Sequence, residues 1–206
     1  MGYNAVRPNQ RKLLVPQRLQ LGSEVAHRTA GIMRSLQILI LAVFVWAAAQ
    51  ATTLQHLSLK DMALRSTEIV RGHVQRNRTD RCGPMICTHY LVLVEDRWKG
   101  SGGAVVDLAV QGGVLNGMRE VGEGTPELAE GREYVLFLWH SPLGINLILG
   151  LSQGLFAVDA DGGNAVQAAV TAHLVDSSGA GADSDPMRMN LAQMRRYVQR
   201  VIAEGR

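Results

Sequence analysis

The sequence predicts a mainly β domain, a small antiparallel sandwich or barrel, with a short helix before it and an amphipathic helix after it. Three observations carry this. From Glu68 to Ala160 the chain runs in short segments rich in Val, Ile, Leu and Tyr. The breaks between them are turn chemistry, such as "KGSGG", "SPLG" and "DADGG". No helical period alternates with the strands, as parallel βαβ units would require.

The elements follow in order. "LSLKDMALRST" opens the domain, with Ser58 and Asp61 three residues apart as in a capping box. Leu57, Leu59, Met62 and Leu64 are spaced for one buried face, so a helix is expected from about Leu59 to Arg65. Six strands follow: "EIVRGHVQ", "ICTHYLVLVEDRW", "AVVDLAVQ", "EYVLFLWH", "INLILGL" and "GLFAVDA". Residues 112–131 read as one long glycine-rich loop, and residues 176–189 as a flexible linker low in apolar content. A final helix over 190–206 begins at Asn190, with Gln193 completing a second capping box. Leu191, Met194, Val198, Val201 and Ile202 form its apolar stripe, which reads as docking on the β domain of residues 52–175.

The region upstream has a different character. Residues 38–51 read "ILILAVFVWAAAQA", and the apolar stretch from Leu36 to Ala49 holds fourteen residues. A membrane span needs about 20. Arg34 supplies a positive start and Ala49-Gln50-Ala51 an A-x-A site, so residues 33–51 read as a cleaved secretory signal. Residues 1–32 are a basic leader or reflect a start assigned too early, translation then beginning at Met33. The expected location is exported, periplasmic or secreted; an uncleaved signal would be the chain's membrane attachment.

Charge excludes one class of partner. Of 21 Lys and Arg, 15 follow Ala51, against 17 of the 18 acids, a net charge of −2. No basic patch interleaved with aromatics remains to track phosphates, so nucleic acid is not an expected partner.

Cys82 and Cys87 lie in "CGPMIC". In an exported chain they read as a disulfide closing a tight loop, contributing about 2 kcal/mol or less. The spacing does not match a CxxC redox pair, and no zinc-ligand set accompanies it. With Cys82 opposite Cys87 in one hairpin, His73 would face Asp96 and His89 would face Asp80. The two histidines would then lie roughly 23 Å apart at about 3.3 Å per residue, too far to share an ion. No metal or cofactor is expected. "NRT" at Asn77 is a glycosylation acceptor only in a glycosylating host.

Two candidate sites remain. "GLSQG", Gly150 to Gly154, fits G-x-S-x-G, with Asp159 or Asp161 and then His173 following in hydrolase order. Strand and turn follow the motif instead of a helix, so Ser152 is a minor candidate and glycines bending a strand the preferred reading. Trp98 and Trp139 end two strands and read either as core plugs or as a binding rim. The glycine-rich loop adds Gly112, Gly113, Asn116 and Gly117 to that rim, since binding surfaces concentrate on loops over rigid scaffolds.

The order of "STEIVRGHVQ", a strand closing on "VEDRWKG", "VDLAVQGG" and "LAEGREYVLFL" resembles the netrin-like and tissue-inhibitor-of-metalloproteinase domains. It is similar also to uncharacterised exported bacterial proteins with the same succession, over roughly Leu57 to Val158. The resemblance implies an OB-type barrel. Inhibitors of that class chelate zinc through an amino-terminal Cys; here Thr52 would take that place, and the family's inter-strand disulfides are missing. What carries over is the fold.

The leading expectation is an exported, non-catalytic OB-like binding module for a protein or envelope component, the alternative an exported hydrolase using Ser152. Intact mass of the exported protein should correspond to a chain beginning at Thr52. A mass retaining residues 33–51 would make the apolar run an anchor.

Overall fold

A computed structural model describes residues 53–170, 172–182 and 185–205. The expected leader, signal segment and Thr52 junction lie outside the described residues. The described chain is mainly β with two helices. Helix α1, Leu59–Arg65, is capped as its sequence requires. Ser58 Oγ accepts from Asp61 N (3.1 Å), and Asp61 Oδ2 accepts from Ser58 N (3.3 Å). At its other end Lys99 Nζ donates to the Ala63 and Leu64 carbonyls (2.8 and 2.9 Å), placing a cation where the helix dipole favours one. Leu59, Met62 and Ala63 are buried. Leu64, expected on the same face, is 41% exposed.

The strands are β1 Thr53–Gln55, β2 Glu68–Cys82, β3 Met85–Lys99, β4 Val105–Leu115, β5 Met118–Val121 and β6 Glu133–His140. They continue as β7 Asn146–Ile148, β8 Leu155–Val158, β9 Asn164–Gln167, β10 His173–Val175 and β11 Arg188–Asn190. Five of them close a ring: β2 pairs with β3, β3 with β4, β4 with β7, β7 with β6 and β6 with β2. All these pairings are antiparallel except β4 with β7, which is parallel and consists of Leu108 opposite Asn146. Asn146 Nδ2 reinforces this narrow seam by donating to the Asp107 carbonyl (2.9 Å). From β6 the sheet continues through β8, β9 and β11, so the ring is one part of a larger sheet. β1 and β10 form a separate parallel pair.

Two cores result. The ring encloses Val70, Val74, Val92, Val106, Leu108, Leu136 and Leu138 with their neighbours. Loop residue Leu128 plugs in among them, 2% exposed, and the loop is tethered where Tyr134 Oη accepts from Ala129 N (2.9 Å). The second core lies between the sheet and both helices, and contains Met62, Ile69, Trp98, Phe137 and Phe156. The two phenylalanine rings tilt at 55° with centroids 5.6 Å apart, a favoured aromatic geometry. Helix α2, Leu191–Glu204, adds Leu191, Met194, Val198 and Val201, and its cap Asn190 accepts from Gln193 N (3.2 Å).

Several expectations are corrected. The β2–β3 register places Cys82 opposite Met85 and Cys87 opposite Asp80. His73 faces Leu93 and His89 faces Arg78, where Asp96 and Asp80 were expected. The cause is a two-residue turn at Gly83-Pro84, with Gly83 at φ 64, followed by three bulges farther along β2. At Gly72 the strands run so close that a Cβ would lie 2.1 Å from the Leu93 carbonyl oxygen. Residues 112–121 are no open loop. β4 continues to Leu115, and Asn116-Gly117, both at positive φ, turn the chain into β5 as an Asn-Gly hairpin does. The expected linker contains built structure too: Asp176 Oδ1 accepts from Ser178 N, Ser178 Oγ and Ala180 N, and β11 pairs with β9.

Val198 is fully buried, so Val198→Asp should place an unpaired charge in the helix–sheet core. At about 4 kcal/mol for such a change and about 2–4 °C per kcal/mol, the unfolding temperature should fall by about 10 °C. Lipid-vesicle binding should be negligible in both forms; unchanged stability with lost vesicle binding would detach α2 from the fold.

Candidate functional site

The β2–β3 turn and the β6–β7 turn stand at one side of the ring and wall an open groove of about 830 Å³. Strand residues Ala109, Val110 and Gln111 of β4 line it, with Leu147 and Ile148 of β7. Its most exposed apolar groups are Met85 (41%), Trp139 (40%) and Leu143 (84%). Apolar side chains exposed together in one concavity make this groove the candidate site.

Both walls are held by local bonds. At the β2 end, Cys82 and Cys87 bring their sulfurs to disulfide distance, with Cα atoms 5.8 Å apart. Ile86 N on the same hairpin donates to Glu120 Oε2 of β5 (2.8 Å), tying the tip to the next hairpin. At the other wall Ser141 N donates to the Ile145 carbonyl, Gly144 N to the Ser141 carbonyl, and Ile145 N to Ser141 Oγ. This turn presents Leu143 on a closed hydrogen-bonded loop. Arg81 is the charged residue along the groove's lining.

The expected rim residues divide. Trp139 lines the groove. Trp98 does not reach it: it is 7% exposed in the helix-side core, its Nε1 donating to Asp96 Oδ2 (2.9 Å), and so is a core plug. Gly112 and Gly113 line a separate polar recess of about 420 Å³ with Thr79 and Thr88. Asn116 and Gly117 form the β4–β5 turn. Met85 and Leu143 were missed by the sequence reading; the signal available for Leu143 was an apolar residue inside the turn string "SPLG".

Ser152 is 2% exposed, and its hydroxyl has no hydrogen-bond partner among the described residues. Gly150 and Leu151 both have positive φ, and the motif forms a buried turn between β7 and β8 in place of a strand-to-helix elbow. Its polar work is done by Gln153, which accepts from Leu57 N (2.7 Å) and donates to the Gln55 carbonyl (2.9 Å). Asp159 is engaged elsewhere, Asp161 accepts from Gly163 N (3.4 Å), and His173 lies exposed on β10. Among the described residues no group of three or more His, Cys, Asp or Glu is placed to hold a metal ion.

A second polar cluster lies near the hairpin. His89 Nδ1 is 2.9 Å from Asp107 Oδ1, and His89 Nε2 faces Cys82 Sγ at 3.8 Å. Arg78 spans Asp80 (3.0 Å) and Asp107 (3.5 Å). His73 instead pairs with Glu95 (2.8 Å).

Compared with protein-family models and with curated proteins, the chain matches none.

Asp159 offers a check on the sheet's far edge. Its carboxylate accepts from the backbone N and the Nδ2 of Asn164 (2.8 and 2.7 Å), which holds its pKa down at about 2 from an ordinary 3.8. A depressed folded-state pKa stabilises above the unfolded value, and that contribution disappears as pH falls through the folded one. Asp159→Asn should therefore narrow the stability gap to wild type as pH drops from 3.8 to about 2. An equal gap at every pH, read by denaturant titration, would remove this assignment.

Proposed function

We propose that the chain is an exported, non-catalytic binding module with an OB-type ring, whose groove receives an apolar segment of a partner protein or envelope component. The supporting observation is the groove itself. It lies between the turns joining the first and second and the fourth and fifth strands of the five-stranded ring, over the third and fifth, with Met85 and Cys87 from the start of the second. OB folds use those two loops for ligands. The ring order, with its third and fifth strands parallel, also favours the OB-type reading.

The lining favours an apolar ligand. OB folds that take oligonucleotides need cations and stacking platforms; here Arg81 is the charged residue and the walls are Met85, Trp139, Pro142 and Leu143. The groove is open, so it covers one side of its occupant. That suits a row of apolar side chains on a protein segment better than a free acyl chain, which gains most when enclosed. Ser152 plays no part in this reading.

Photo-crosslinking tests it. A photoreactive residue at Leu143 should give one protein adduct in envelope extract, whereas the same group at Leu64, exposed on α1, should not. Unmodified protein should compete the adduct away, and Trp139→Ala should compete at least tenfold less well, a loss of about 1.4 kcal/mol. An adduct equal at both positions, or one containing lipid alone, would overturn the assignment.

A further inference from the structure

We propose that Cys82, Cys87, His89 and Asp107 form a thiol–disulfide exchange site whose substrate is a disulfide, with Cys82 the attacking sulfur. The inference goes beyond the binding reading: it adds a redox step to a module proposed above as non-catalytic, and its test does not depend on which partner the groove receives. It stands on a chain of contacts across three strands. Cys82 Sγ at the end of β2 faces His89 Nε2 of β3 at 3.8 Å, and His89 Nδ1 meets Asp107 Oδ1 of β4 at 2.9 Å. A disulfide that only staples a turn has no use for an imidazole directed at one sulfur and oriented by a carboxylate. That arrangement is how nucleophilic thiols are activated: the imidazole takes the thiol proton, and the carboxylate fixes its tautomer and steadies the resulting cation.

The two cysteines differ in ways that assign their roles. Cys82 is partly buried and holds the histidine contact; Cys87 is 5% exposed. Both line the groove, so a substrate disulfide can approach along it. The charged groups around the imidazole are Asp107 from β4 and Arg78 and Asp80 from β2, with Glu68 and His140 lining the recess beside it. Arg78 shares Asp107 with His89, which holds that carboxylate in place.

The chemistry balances. A dithiol reductant first converts the Cys82–Cys87 disulfide to two thiols and is itself oxidised to a disulfide. The Cys82 proton then passes to His89 Nε2, and the Cys82 thiolate attacks one sulfur of the substrate RS–SR. A Cys82–SR bond forms, the substrate S–S bond breaks, and its electron pair leaves as RS⁻, which takes the proton from His89. Cys87, as thiolate, then attacks Cys82 Sγ, remaking the Cys82–Cys87 bond and expelling the second RS⁻. That thiolate takes the proton lost by Cys87. One disulfide is reduced to two thiols, and the protein dithiol is oxidised to its disulfide.

Reduced protein of the full domain, treated with less than one equivalent of iodoacetamide slightly below neutral pH and mapped by peptide mass, should be labelled first at Cys82. The rate should exceed that of Cys87 by about tenfold, the gain in thiolate for each unit of pKa depression. In Cys87→Ser, which cannot resolve, oxidised glutathione should leave a mixed disulfide at Cys82. His89→Gln should slow its formation by about tenfold below neutral pH and much less in alkali, where the thiol ionises unaided. Asp107→Asn should slow it to a smaller degree. Equal labelling of both cysteines in the wild type, or labelling led by Cys87, would overturn the proposal even if His89→Gln failed to fold. So would a folded His89→Gln protein reacting at the wild-type rate throughout.

Discussion

Strand β6 is apolar on both faces, and both cores depend on it. Tyr134, Leu136 and Leu138 point into the ring, while Val135 and Phe137 belong to the core beneath the helices. All five are at most 4% exposed. Along its edges β6 pairs with β2 on one side and with β7 and β8 on the other. A strand so placed cannot alternate apolar with polar residues, and "YVLFL" is the continuous run that two-sided burial demands. At about 1.5–3 kcal/mol per buried side chain before entropy is subtracted, it is a large part of what holds ring and helices together.

The helices inherit their stability from that outer face. Seven residues are fewer than an isolated helix sustains in water, so α1 depends on its capping box, on Lys99 at its last carbonyls and on burial of Met62. α2 packs in the same core, and Arg195 at its surface reaches Asp96 of β3 (3.2 Å), the residue whose other oxygen holds Trp98. Trp98 therefore closes the helix-side core, and Asp96, two residues before it on β3, links it to Arg195 of α2.

Local chemistry was legible in the sequence; long-range chemistry was not. Both helix starts were readable because a capping side chain acts over three residues. The existence of strands β2, β3, β4, β6 and β8 was readable from composition. Register was not, because Gly83-Pro84 makes a tighter turn than a Cys82–Cys87 pairing assumes, and each bulge in β2 shifts the partner again. The β4–β5 hairpin was missed because its glycines suggested a loop, although Asn116-Gly117 carried the turn signal. The groove was half legible, through Trp139. Met85 and Leu143 are far apart in sequence and become neighbours of one cavity only when β4 and β7 close the ring. The link from Cys82 through His89 to Asp107 depended on the register and was hidden with it.

Ring closure thus makes both proposed sites, and it also determines how stiff they are. The seam between β4 and β7 is a single residue pair backed by the Asn146 amide, so little of the groove's rigidity can come from the seam itself. It comes from the walls. One is clamped across Cys82 and Cys87 and tied to Glu120; the other is closed on Ser141. Walls fixed in advance leave less ordering entropy to lose if the proposed partner binds against Trp139 and Leu143. Opening the Cys82–Cys87 bond would loosen the very wall that carries Met85. The proposed exchange site and the proposed recognition site therefore share one hairpin tip, since both cysteines line the groove.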